Sequence, residues 1–501
     1  MRPSIISALI AAVIASSDYP KARSFIYVVP DGYGVASQVL ARDYHAIVNG
    51  QGTAQRPNSP QLGADSLVIG TVRTQASDSL ITDSAASATA FACGVKTYNG
   101  AIGVDDDGAP VASVLEAAHL SGFKTGLVAT SRISHATPAC YASHVLDRGS
   151  ENEIAAQEIG YSHPLSNVVD LLLGGGRRHF LPTSDGGSRG DGVNLINRAV
   201  EKGWTYAGSR KELDSSTRED GTVPLPFLGL FSSSDMSYEL DRDEAQQPSL
   251  LDMTKVALAT LEKASSDNSK GYFIMIEASR IDHAGHANDA AGHIHDTLMY
   301  NSVLAYIKEY IDSHPDTQLL SAADHECGGL TLEDGYNPTV LQKATRTPEY
   351  LGSLLAAYQG DKAPYLKDEL LPMYGLENVS DDDVKLLLSI AEERSVSAMK
   401  IAAGNMLAAE AGLKWSTEGH TAADVILYGY ANPRALRSMK DSVGKNINNI
   451  DLPQYIEKVL GLNLANATQA LRQGGVNWVG KRDELHVIKR SNKLHTHSHT
   501  H

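Results

Sequence analysis

The chain has 501 residues, with 43 Lys and Arg against 59 Asp and Glu, a formal net charge of −16. With 42% apolar and 20% charged residues, it has the composition of a folded protein, not of a mainly disordered or membrane-embedded one. The acidity excludes the basic footprint of a general nucleic-acid or anionic-membrane binder, so an anionic substrate must meet positive charge made locally, by a metal or by arginine.

The first 17 residues carry Arg2, an apolar run from Ile5 to Ala15 and the triplet Val13-Ile14-Ala15 before Ser16. This pattern predicts a signal peptide and a secreted, periplasmic or secretory-pathway location. The run is shorter than the ~20 residues that span a bilayer, and no other stretch is long and apolar enough to do so. Phe25 to Val29, ended by Pro30-Asp31-Gly32, reads as a buried strand running into a loop. Ala85 to Ala92 has high helix propensity, with Asp83 and Ser84 at its start. Ser84 there is either an ordinary cap or a nucleophile at a helix N-terminus that favours anions. Val111 to Leu120 has helical spacing, and Phe123 to Ala129 reads as a strand. Further strands are expected at Leu171 to Leu173, Tyr272 to Ile276, Thr317 to Ala322 and Val425 to Tyr428, with a long helix over Asp289 to Ile311. Strands alternating with helices predict an α/β fold with a mostly parallel sheet covered on both faces.

Residues 331 to about 414 are helical in pattern, notably Leu351 to Tyr358 and Asp383 to Leu413, and read as an insertion between two core strands. The expected organisation is a leader over 1–17, one domain over 18–480 and a polar, His-rich tail over 481–501. Cys93, Cys140 and Cys327 are too few for a disulfide framework. Asn378 and Asn466 stand in glycosylation sequons.

Ligands of α/β sheets bind beyond the carboxyl ends of the strands. Here those ends carry Asp31, the stretch Ser131 to Thr137, Glu277 and the pair Asp324-His325. Asp282 and His286, at i and i+4, can share one helical face and one cation. His420 precedes the last strand. Jointly these residues supply Asp and His for two zinc-like sites, with Glu and Thr for a harder ion. Cys327, two residues after His325, could be a thiolate ligand, but a buried thiol is the expected reading, because carboxylates and imidazoles already fill the sites.

Seven segments, in order, resemble the alkaline phosphatase family. They are Asp31-Gly32-x-Gly34, Thr82-Asp83-Ser84-Ala85-Ala86-Ser87-Ala88-Thr89-Ala90, Gly94-Val95-Lys96-Thr97-Tyr98-Asn99-Gly100, Gly174-Gly175-Gly176-Arg177, Glu277-x4-Asp282-x3-His286, Ala323-Asp324-His325 and Gly419-His420-Thr421-x2-Asp424-Val425. The resemblance implies a three-layer α/β/α sandwich with a crown-type insertion, usually a homodimer. It implies hydrolysis of small phosphate monoesters through a phosphoserine on Ser84. One zinc would be held by Asp282, His286 and His420, and a second by Asp31, Asp324 and His325. A third ion, usually magnesium, would be held by Asp31, Thr137 and Glu277, and Arg148 would clamp the phosphate. Many bacterial members have Asp where this chain has His135 and Lys where it has His283. The two histidines resemble the animal form of the site and are expected just behind the ligands. Imidazole at His135 would weaken the third site for magnesium or admit zinc. A phosphodiesterase or nucleotide pyrophosphatase of the same metal architecture is the first rival reading, and Arg148 with the Ser84 context favours monoesters. A phosphate-binding protein without turnover is the second.

Overall fold

The computed structural model describes residues 19–266 and 270–480. The expected leader and His-rich tail lie outside the described residues. The centre is a ten-stranded sheet. In chain order its strands are β1 (Ser24–Pro30), β2 (Val68–Arg73), β3 (Lys124–Arg132), β4 (Leu171–Gly175), β5 (Thr205–Ala207), β6 (Phe227–Leu230), β7 (Tyr272–Ala278), β8 (Thr317–Ala322), β9 (Val425–Tyr430) and β10 (Asn446–Asn448). Their spatial order is β10-β2-β9-β8-β1-β7-β3-β4-β6-β5. All neighbours are parallel except that β9 runs against both β8 and β2. Helices such as Leu250–Ser265, Ala290–Ser313, Val114–Leu120 and Asp451–Leu460 pack against the sheet, giving an α/β/α sandwich.

The central strands are those that read most clearly in the sequence. Every residue of β1, β7 and β8 is buried, which is why they appear as unbroken apolar runs. The strands absent from the sequence reading lie toward the two edges. Of these, β2 is largely half-exposed and interrupted by Gly70, and β5 and β10 have three residues each.

Residues after β8 leave through Leu330–Leu332 and return through Leu413–Trp415, which pair antiparallel. Between them lie helices with an apolar cluster of their own, including Leu351, Leu366, Leu370 and Leu407, continuous with Leu40, Tyr44 and Ile294 of the main body. The single helix expected over Asp383 to Leu413 is two, Asp381–Glu393 and Val396–Glu410. The second starts at Ser395, whose side chain accepts the Ala398 N–H at 3.0 Å; such a cap outcompetes continued helix at that residue. Among the described residues no helix is long and apolar enough to cross a membrane.

Candidate active site

Ser84 is the first residue of the helix Ser84–Cys93 and is 1% exposed. Asp83 caps this helix by accepting the Ala86 N–H at 2.9 Å. Its other oxygen accepts from the Gly100 N–H and from Arg148 Nη1, both at 3.0 Å. One carboxylate therefore fixes the helix start and the arginine together. Arg148 Nη2 donates to His135 Nε2 at 2.9 Å, so the guanidinium is held on two sides. Ser84 Oγ lies 3.2 Å from His325 Nε2.

The expected ligands converge at the carboxyl ends of the strands in three groups, which Cys327 and His135, not expected as ligands, also enter. In each, the ligating atoms lie within 4.8 Å of one another. The first holds Asp282, His286 and His420, joined by Cys327. Asp282 and His286 stand on the short helix Arg280–His286. The N–H of His286 Nδ1 donates to the Glu418 carbonyl at 2.5 Å, and that of His420 Nδ1 to the Thr82 carbonyl at 2.9 Å. With Nδ1 so used, the two Nε2 atoms turn toward each other at 3.1 Å, as in imidazoles oriented to ligate by backbone carbonyls. The second group holds Asp31, Asp324 and His325. The third holds Asp31, His135 and Glu277, with Thr137 buried on the adjoining helix Ala136–Ala142. His283 sits edge-on to His135 at 5.6 Å and accepts from Arg280 Nη1 at 2.8 Å. Arg280 in turn reaches Glu349 of the helical segment at 2.5 Å. Gly32, at φ +70°, is needed here: a Cβ would lie 2.5 Å from the Asp282 backbone.

Burial, and then the carboxylates of Asp324, Asp282 and Glu277, push Asp31 well above the ordinary carboxylate range. Burial likewise raises Glu277 to about 7, with Asp324 adding to it. Burial would also raise Asp282, but the imidazoles of His286, His420 and His325 hold it well below. Among the described residues, both oxygens of Asp31, both of Asp282 and one each of Glu277 and Asp324 have no hydrogen-bond partner, nor does Thr137 Oγ1. Buried carboxylates left so are costly unless a cation joins them. The donors fit divalent ions: imidazole and carboxylate suit zinc, and an all-oxygen set suits magnesium.

A model of the alkaline phosphatase family matches residues 22–462. The chain belongs to the alkaline phosphatase family. It is 41% identical to the repressible alkaline phosphatase of Saccharomyces cerevisiae, over 90% of this chain and 84% of that one. The Thermus thermophilus alkaline phosphatase has the same fold, with a TM-score of 0.75, 25% identity and coverage of 93% of this chain and 100% of that one. A variant of the TAB5 alkaline phosphatase, with a histidine replaced by glutamate, carries magnesium in its M3 site. It matches with a TM-score of 0.61 and 25% identity, over 89% of this chain and 99% of that one. The protein is a hydrolase of phosphate monoesters.

Around this family site lies a buried group that the sequence did not disclose. Glu116, His144 and His163 are far apart in the chain, yet both histidine Nε2 atoms lie 2.8 Å from Glu116 Oε1. His144 Nδ1 lies 2.6 Å from the Gly103 carbonyl, so both its nitrogens face acceptors, which favours the protonated ring. Burial would lower its pKa, but Glu116 and the Gly103 carbonyl hold it above the ordinary histidine value. Burial would raise Glu116, but the two histidines hold it well below the ordinary range. The pair pins the segment that leads from His144 to Arg148. Its sign with pH follows from the two directions: the Glu116 contribution is lost toward acid below its unfolded value of about 4.3, and the His144 contribution is lost as pH rises past about 6.5. Glu116→Gln should cost about 3–5 kcal/mol at pH 6, as for one partner removed from a buried pair. The gap from the parent protein should narrow at pH 9. Urea unfolding at both pH values checks this; an equal gap would show that His144 is uncharged.

Proposed function

We propose that Ser84 is the nucleophile of a metal-dependent phosphomonoesterase. Asp282, His286 and His420 hold one zinc, and Asp31, Asp324 and His325 hold the second. Asp31, Thr137 and Glu277 hold a third ion. The observation that carries this reading is the convergence of buried carboxylate oxygens without hydrogen bonds around a serine at a helix N-terminus. Magnesium in the TAB5 variant's M3 site supports a cation at the third position. His135 stands beside that position, and its imidazole shifts the preference toward a softer ion.

Divalent ions held there would neutralise the phosphate dianion, activate the serine hydroxyl and a later water, and stabilise the leaving oxygen. Ser84 Oγ attacks phosphorus in line and becomes phosphoserine. Arg148, aimed by Asp83 and His135, binds two non-bridging oxygens in a fork. The free N–H groups at the start of the Ser84–Cys93 helix add partial positive charge. Water then attacks from the side the alcohol left, returning Ser84. The cavity beside the site, about 950 Å³ and lined by His286, Gly419, Arg280, Glu349 and Lys400, gives the alcohol portion room between the sheet edge and the helical segment. We extend the reading to a secreted homodimer in which residues 18–480 form the catalytic domain and residues 331–414 its insertion.

Arg148→Ala should raise KM for an aryl phosphate and Ki for inorganic phosphate by about ten- to a hundredfold, as hydrogen bonds to a charged group contribute about 1.5–3 kcal/mol. Steady-state kinetics check this, and unchanged KM and Ki would remove Arg148 as the clamp. Rates on the aryl monoester and its diester decide the reaction class. The monoester should be strongly preferred, and a faster diester would favour the phosphodiesterase reading.

A further inference from the structure

We infer that Cys327, through Sγ, is a fourth donor to the ion held by Asp282, His286 and His420; the inference rests on those three residues sharing one ion. Two features of the chain place the thiol there. Glu326–Cys327 pairs antiparallel with His420–Thr421, and Cys327 stands directly opposite His420. Residues so opposed project to one face with Cβ atoms about 4.5–5.5 Å apart.

The helix Arg280–His286 then passes over the thiol at Gly285. A Cβ at that residue would lie 3.0 Å from Cys327 Cβ and 3.1 Å from its Sγ. The absent side chain therefore lets the thiol come in between Asp282 and His286. The ligating atoms of all four residues consequently lie within 4.8 Å of one another. Four donors around one zinc, at bond lengths of about 2.0–2.3 Å, stand roughly 3.3–3.8 Å apart, so a small contraction closes the set. Asp282 adds buried acceptor atoms to the same group. Asp282 is 1% exposed, as is Cys327, and both its oxygens lack a hydrogen bond.

On metal uptake the S–H bond breaks, a sulfur–metal bond forms and the proton leaves to solvent, with no change of oxidation state. A soft thiolate beside two imidazoles favours zinc over magnesium. It makes this ion harder to remove than three donors would.

The full chain loaded with cobalt(II) in place of zinc tests this. The parent protein should show a sulfur-to-cobalt charge-transfer band in the near ultraviolet. Cys327→Ser and Cys327→Ala should lose that band but keep the visible cobalt d–d bands, which shows that the site is still folded. Their zinc Kd, measured by competition with a chelator, should rise at least about tenfold. A parent protein with d–d bands and no charge-transfer band, or a Cys327→Ser protein with unchanged band and Kd, would overturn the inference while leaving the phosphatase reading intact. Failure of the parent protein to take up either metal, with no turnover of an aryl phosphate, would overturn both.

Discussion

Ser84→Ala loses about a thousandfold or more of kcat on an aryl phosphate while keeping its metal content and its fold. The reason is chemical: without Oγ there is no group to accept the phosphoryl, and removing a covalent nucleophile costs several orders of magnitude elsewhere. Retention of structure follows from position. Asp83, not Ser84, caps the helix and holds Gly100 and Arg148. Among the described residues the hydroxyl's hydrogen-bond partner is His325 alone. Kinetics and elemental analysis of the variant check this. Undiminished turnover would remove Ser84 as the nucleophile.

Removal of divalent ions has the second large effect. A chelator should bring aryl phosphatase activity to background, and zinc should restore it. Asp31, Glu277, Asp282 and Asp324 are all buried, and Asp31 and Glu277 resist being charged together without a cation. The stripped protein should therefore also melt several degrees lower, since an ion at a thousand times its Kd contributes about 4 kcal/mol. Scanning calorimetry with and without chelator measures this. Full activity and an unmoved Tm in metal-free protein would refute the metal reading.

What the sequence disclosed divides by how local the signal is. Buried parallel strands announce themselves as apolar runs, so β1, β3, β7 and β8 were legible together with the acidic and imidazole residues at their carboxyl ends. The i, i+4 spacing of Asp282 and His286 was legible for the same reason. The edge strands β5 and β10 were not, nor was β2 beside β10, because half-exposed or very short segments carry no continuous pattern. Ser84 read as a cap or a nucleophile, whereas the cap is Asp83, whose further bond to Arg148 joins residues remote in the chain. The Glu116–His144–His163 group depends likewise on tertiary approach, as each residue alone reads as ordinary. Cys327 reads as a buried thiol because carboxylates and imidazoles already fill the sites; the strand pairing that sets it opposite His420 is not visible in its spacing.

The central claim is transfer through a covalent serine rather than direct attack by water. The most direct test is the stereochemistry at phosphorus for a monoester made chiral with oxygen isotopes and turned over in water of the remaining isotope, or with an acceptor alcohol. Two in-line displacements, first by Ser84 and then by the acceptor, predict net retention. Net inversion would show a single displacement and contradict the account.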